Sequence, residues 1–273
     1  SFLEETPNVR SVVIDEVDRV LSCGDPKMGF ALYKCPRCER VRFVPFRCHS
    51  RFCNTCGTAY QDNRAASMEE KLINCRHRHI VFTISDELRP YFRADRNLLN
   101  VLFRSASQVI HDWALSLNKK EQFQFGMVCV LHTFGRDLKW NPHIHMLITE
   151  GACGKMTPWK SFHHFPYTML RKRWMTTLLV NLKSSIDFSR NSSVKFTNLV
   201  NRLYHNYDNG FYVHAPASDF NSASKVTKYI VRYIGRPAMA QSRITNYDGE
   251  QVTFWYQRHE DNQKVVETIS AHD

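Results

Sequence analysis

No apolar run in this 273-residue chain approaches the roughly 20 residues that a membrane-spanning helix requires. Its first residues, SFLEETPNVR, have neither the basic nor the apolar region of a secretion signal. Internal repeats and low-complexity tracts are also missing, so neither a solenoid nor a disordered tail is expected. Acidic residues are in deficit, 26 against 37 Lys and Arg, which leaves a net charge of +11 and a pI near 9.3. Such a bias argues against a polycationic partner and for a polyanionic one, nucleic acid first and an anionic membrane surface second. What is present in quantity is core material: 43% hydrophobic and 12% aromatic residues, enough for a folded globular chain. Nine cysteines without an export signal point to a reducing, cytoplasmic compartment, where metal binding outweighs disulfides.

Periodicity divides the chain in two. Residues 8–22 space their apolar side chains at helical period, and residues 58–73 do so again. Between them, residues 30–57 are short aromatic and β-branched pieces broken by cysteines and prolines. From residue 76 the pattern becomes α+β. RHIVFTIS (78–85) predicts a buried strand, and 93–117 a long helix. Residues 124–135 and 143–151 predict a hairpin, 167–184 and 194–208 two helices, and 210–216 a strand. Residues 222–235 predict a helix stopped by Gly235 and Pro237, and Asp248-Gly249 centres a second hairpin. The expected organisation is a zinc-binding module with its helices over 1–75, followed by an α+β domain with an antiparallel sheet over 76–273.

Cys35-Pro-Arg-Cys38 and Cys53-Asn-Thr-Cys56 are two C-x2-C knuckles. Each offers two thiolates from one tight turn, and together they make the four tetrahedral ligands of a structural Zn2+, with no position left open for substrate. Cys23, Cys48 and His49 remain as spare ligands or core residues. Arg37, Arg40, Arg42, Arg47 and Arg51 surround the knuckles and form either a solvated basic surface or a DNA contact.

His143 and His145 alternate on a strand and so face the same way. His132, on the preceding strand, comes opposite them if the turn is centred near residue 138. Three imidazoles aimed at one point make a facial metal site with open positions, suited to polarising a phosphate oxygen. His132 is the ligand that Asp137 or Gln241 could replace. The stretch HIHMLI resembles the His-hydrophobic-His motif of the HUH endonucleases, which include rolling-circle replication initiators, relaxases and rolling-circle transposases. In relaxases the tyrosine precedes the histidines. Here the candidates follow them, as in initiators and transposases.

Tyr229 and Tyr233 are spaced i, i+4 on the expected helix and share one face, flanked by Lys228, Arg232 and Arg236. A phenol with a pKa near 10 needs a cation or metal nearby to attack a phosphate at neutral pH. The whole set resembles the rolling-circle transposases of bacterial insertion sequences, relatives of Helitrons. YKCPRCERVRFVPFRCHSRFCNTCG resembles their zinc module, HRHIVFTISDELRPYF their first nuclease strand, and NPHIHML and YIVRYIGRP their metal and tyrosine motifs. The resemblance runs from about residue 20 to about residue 258. It implies an HUH nuclease domain with a central antiparallel sheet flanked by helices. It implies Tyr233 and Tyr229 as nucleophiles, and His143, His145 and His132 as ligands of Mg2+ or Mn2+. Arg232, Arg236, Lys228, Arg136 and Lys139 become candidate contacts to single-stranded DNA at transposon ends and target. The alternatives are a plasmid or phage replication initiator with the same chemistry, a zinc-ribbon DNA-binding protein without catalysis, and a metal hydrolase that uses water.

Overall fold

The computed structural model describes residues 9–50, 52–187, 190–214, 225, 239–258 and 261–271. It is a mixed α/β structure with antiparallel sheets. Contacts group it into two compact units, residues 1–70 with 231–273, and residues 71–230.

In the first unit, helix α1 (Ser11–Leu21) turns Val20 toward a small cysteine cluster, and its Glu16 accepts a hydrogen bond from the Ser50 hydroxyl. Strands β1 (Phe30–Lys34) and β2 (Val41–Pro45) form a hairpin in the register Phe30↔Pro45 to Lys34↔Val41. Helix α2 (Asn54–Glu69) starts at the second knuckle, where the Gly57 N–H donates to the Cys53 carbonyl.

The second unit holds the main core. Strand β3 (His77–Phe82) is followed by a short helix α3 (Arg89–Ala94) and helix α4 (Leu99–Leu117). The continuous helix expected over 93–117 is broken at Asp95. Its backbone is extended (φ −127°, ψ 107°), and its carboxylate accepts the Asn97 N–H at 2.9 Å, a turn that competes with the helix. Past that break, Val101, Leu102, Ser105, Ala106, Val109, Ile110, Trp113 and Ala114 are buried in one stripe of helical period. Strands β4 (Gln124–Phe134) and β5 (Trp140–Cys153) pair as a long hairpin, and β6 (Lys160–Ser161) adds to β5. Helices α5 (Tyr167–Ser185) and α6 (Arg190–Asn206) and strand β7 (Val213–His214) follow. The sheet order is β4-β5-β3-β7, antiparallel throughout. Of the strand expected over 210–216, residues 213 and 214 are in the sheet.

Strand alternation decides which side chains are buried. Ile80 and Phe82 of β3, Ile144, Met146 and Ile148 of β5 and Val213 of β7 are fully buried and join the α4 and α5 side chains in one core. At one end of this face Arg78 and Glu150 are buried together. The Arg78 Nε–Glu150 Oε1 distance is 2.7 Å, and the other Arg78 donors reach the Tyr167 hydroxyl and the His163 carbonyl. A one-residue slip would swap the two faces of a strand, so this pair and the apolar set fix one register.

In the tail, β8 (Ile244–Tyr247), β9 (Gln251–Gln257) and β10 (Lys264–Ser270) form a three-stranded sheet. The expected Asp248-Gly249 turn joins β8 and β9, with Gly249 at φ 104° and the Asp248 carboxylate accepting the Glu250 and Gln251 N–H groups. The third strand was not expected from the hairpin signal. Of the helix expected over 222–235, only Lys225 lies among the described residues.

Candidate metal centres and active site

The cysteine cluster is built by the turn after α1, the segment after β2 and the start of α2. Cys23, Cys48, Cys53 and Cys56 bring their sulfurs within 4.8 Å of one another. Cys23 lies 3.6 Å from both Cys56 and Cys53. Four thiolates at ~2.3 Å around a tetrahedral zinc ion stand roughly 3.8 Å apart, so the set fits that ion. The Cys48 N–H and the neighbouring thiols pull Cys23 down to about 6. Burial pushes Cys48 up to about 12 and raises Cys56 as well. Four sulfurs without a cation cannot all ionise, and a bound dication removes that conflict.

The structure groups a different set from the one expected from the two knuckles. Cys53 and Cys56 are in the cluster, but Cys35 and Cys38 are not. They sit beside each other at the β1–β2 turn, where the Cys38 and Arg37 N–H groups and the Cys38 thiol lower the Cys35 pKa. The turn is closed by Cys35 N–H to Arg40 O and Glu39 N–H to Cys35 O, both 2.9 Å. Two extended strands carry it away from the base of the hairpin, where Gly24 N–H meets Phe46 O and Cys23 and Cys48 lie close in sequence. Spacing alone favoured the more regular C-x2-C pair. The partners that the structure brings to Cys53 and Cys56 are the single cysteines at the two feet of the hairpin, Cys23 and Cys48.

The second centre is the sheet face opposite the core. His132 and His143 are direct cross-strand partners, and Val130 pairs with His145. The turn that sets this register runs from Phe134 to Trp140, with Gly135 N–H to Lys139 O at 3.0 Å and Leu138 at φ 63°. A Cβ at Gly135 would lie 2.5 Å from an oxygen of the Asp137 carboxylate, which accepts the Lys139 N–H, so a side chain there would push that carboxylate aside. The three histidines form a group whose ligand nitrogens lie within 4.8 Å of one another. His143 Nε2 and His145 Nε2 are 3.0 Å apart. Two imidazole nitrogens bound at ~2.1 Å to one ion, at right angles, lie roughly 3 Å apart, so this set also fits a divalent metal. The His143 Nδ1–H donates to the Asn141 carbonyl at 2.7 Å, which leaves the Nε2 lone pair facing the shared point. Burial, then the neighbouring histidines, push His145 down to about 2. Burial likewise takes His143 and His79 to about 4. All three are therefore neutral, the form that binds metal.

The sequence reading missed His79 and Arg89. His79 Nε2 lies 2.8 Å from His145 Nδ1. The alternation His77-Arg78-His79 on a strand predicted as buried was the available signal. Arg89 lies close enough to lower the His143 pKa, its carbonyl accepts the Trp140 Nε1–H at 3.1 Å, and its Nε is buried without a hydrogen bond. Arg136 and Lys139 are exposed in the β4–β5 turn, with Lys139 Nζ 4.0 Å from Asp137. Asp137 caps that turn. Gln241 belongs to the other compact unit. Tyr229, Tyr233, Lys228, Arg232 and Arg236 lie outside the described residues.

The basic α/β chain thus carries an N-terminal four-cysteine cluster and a three-histidine cluster on a sheet face, two groups that could each hold a metal ion. Residues 1–84 match the family described as "Transposase zinc-binding domain" of the IS91 type. Residues 126–273, more than half of the chain, match the Y2_Tnp family, described as "Putative transposase". The chain belongs to this family of transposases. It is 28% identical over its whole length to the transposase for insertion sequence element IS801 of Pseudomonas savastanoi pv. phaseolicola, of which it covers 67%. It is 23% identical over 91% of its length to "Putative transposase y4qJ" of Sinorhizobium fredii, of which it covers 65%. No solved structure matches the chain. Among the described residues no helix is long and apolar enough to cross a membrane.

Proposed function

We propose that this chain is a rolling-circle transposase that nicks and rejoins single-stranded DNA at transposon ends and target through a 5′-phosphotyrosine. The nuclease domain of this reading is an HUH fold over 76–273, after a zinc-binding module over 1–75, and it works in the bacterial cytoplasm on the nucleoid. The observation that carries the reading is the convergence of His132, His143 and His145 on one point of a sheet face. A Mg2+ or Mn2+ ion held there would polarise a phosphate oxygen. Burial keeps His143 and His145 neutral, and the Asn141 carbonyl orients His143. In this reading Arg89, whose charge reaches His143, would hold a phosphate near them, and Arg136 and Lys139 on the turn would track the DNA backbone. Lys228, Arg232 and Arg236 steady the phenols and the phosphate from the tyrosine segment.

In the nick, the phenolic oxygen of Tyr233 bonds to phosphorus and the 3′ oxygen leaves, taking up a proton as a 3′-OH. The bond energy stays in the phosphotyrosine, so rejoining needs no nucleotide. Tyr229 serves the later strand transfer. The test is adduct formation on labelled single-stranded end DNA. Tyr233→Phe is expected to abolish the adduct and Tyr229→Phe to keep it while lowering transposition in cells. An adduct from the variant that carries both substitutions would refute the assignment of these two tyrosines as nucleophiles.

A further inference from the structure

We propose that His79 is a positioning residue for the histidine centre. Its Nε2 accepts the Nδ1–H of His145 and so locks the Nε2 lone pair of His145 toward the point shared with His143 and His132. The inference rests on the metal-site reading above.

A neutral imidazole carries one N–H and one lone pair, and a metal ligand must offer the lone pair. For His143 the choice is made by the Asn141 carbonyl, which can only accept and lies 2.7 Å from Nδ1. His145 faces the same choice, with its Nε2 3.0 Å from His143 Nε2. If both Nε2 atoms serve one ion, the His145 proton must sit on Nδ1, and His79 Nε2 is 2.8 Å from that atom. The two rings are parallel, at an interplanar angle of 0° and a centroid separation of 5.0 Å. That is the arrangement of two imidazoles joined end to end by one in-plane hydrogen bond, and both the lone pair and the N–H of an imidazole lie in the ring plane.

The fold makes the contact robust. Val81 is the cross-strand partner of His145, so His79 stands one pleat further along β3 on the same face, at the diagonal position that long side chains reach. It is 7% exposed. A carboxylate often plays this outer role at metal-bound histidines. Here it would place a negative charge behind a site that must accept a phosphodiester, and a neutral imidazole gives the same orientation without that repulsion.

The test uses the zinc-loaded full chain and two variants of similar bulk. His79→Leu removes the acceptor. His79→Gln keeps one, because its amide oxygen can take the His145 proton. Mn2+ is titrated in and the free ion followed by its electron paramagnetic resonance signal, since Mn2+ is a poor match for the thiolate cluster. His79→Leu is expected to weaken Mn2+ binding by about 10- to 100-fold, and His79→Gln to stay within a few-fold of wild type. Histidine-labelled wild-type protein loaded with Mg2+ gives an independent readout by 15N resonance, expected to show the proton of both His145 and His143 on Nδ1. Equal affinities for His79→Leu and wild type would overturn the proposal. So would equal losses in both variants, or a His145 proton found on Nε2. If His143→Ala instead binds Mn2+ as wild type does, the metal-site reading itself has failed and the role of His79 falls with it.

Discussion

Replacing single cysteines separates the structural ligand set from the one that spacing suggested. Cys23→Ser or Cys48→Ser should empty the zinc site, and Cys35→Ser should leave it filled. The geometry supports the first set: sulfur separations of 3.6 Å from Cys23 to Cys53 and Cys56, close to the roughly 3.8 Å of a tetrahedral zinc–thiolate site. The magnitude follows from what else holds the cluster together. Its buried members are three cysteines, with Val20 and Cys23 packed against them, so there is little apolar core to survive without the ion. Structural zinc contributes about 10–16 kcal/mol in small modules, against a net stability of roughly 5–15 kcal/mol for a whole domain. Loss of the ion should therefore unfold the module. Cys35 lies at the tip of the β1–β2 hairpin, outside the cluster, and its replacement should cost near the ~0.5 kcal/mol typical of surface changes. The assay is zinc released per chain to a chromophoric chelator, with limited proteolysis of residues 9–70 in parallel. The expected result is full zinc for wild type and Cys35→Ser, none for Cys23→Ser and Cys48→Ser, and rapid cleavage only in the last two. Zinc lost from Cys35→Ser and retained by Cys23→Ser would refute the reasoning and restore the two-knuckle site.

Arg78→Met should destabilise the second unit by about 3–5 kcal/mol, because it leaves the Glu150 carboxylate buried with its 2.7 Å partner gone. Urea unfolding measures it, and a loss under ~1 kcal/mol would mean that the exposed Arg76, 3.4 Å away, compensates. The metal-free protein should lose stability as pH falls from about 6.5 toward about 4. In that window the unfolded chain takes up protons that the folded His79 and His143, held at about 4, refuse. The slope is at most ~1.4 kcal/mol per pH unit for each group, and a flat urea midpoint between pH 7 and pH 5 would contradict their burial as neutral rings. Affinity for single-stranded DNA should fall steeply with salt through counterion release, as the +11 net charge requires, and salt-independent binding would argue against a phosphate-tracking surface.

The parts of this architecture that were legible in sequence are those whose signal is local and periodic. The α4 stripe, the β4–β5 hairpin and the Asp248-Gly249 turn each follow from side chains within a few residues of one another. The face shared by His143 and His145 follows from strand alternation alone, and the pairing of His132 with His143 from the turn length. What was not legible depended on which distant segments meet. Cys23 is separated from Cys53 by the whole β1–β2 hairpin, and no local rule ranks it above Cys38. His79 reaches His145 only because β3 pairs with β5 in the register that sets Val81 opposite His145. Asp95 ends a helix that periodicity would have continued, because a carboxylate that caps the next turn outweighs a few residues of helical propensity.

Stability and chemistry therefore rest on the same register. On β5, Ile144, Met146 and Ile148 face the core while His143 and His145 face the opposite side, so one alternating stretch supplies both. On β3, Ile80 and Phe82 face the core while His79 faces the histidines. A shift of one residue between β3 and β5 would turn the histidines of the shifted strand into the apolar layer and its apolar residues out of it, at a cost of up to ~1.5–3 kcal/mol for each large side chain that loses its apolar surroundings. The Arg78–Glu150 pair adds a directional constraint that hydrophobic contacts lack, because a shifted strand would leave two charges buried without partners. That pair joins the same two strands whose other faces bring His79 to His145, and it acts on the histidine centre only by fixing strand alignment. A substitution that weakens it should therefore lower stability first, and metal affinity only in the fraction of molecules whose strands lose their pairing.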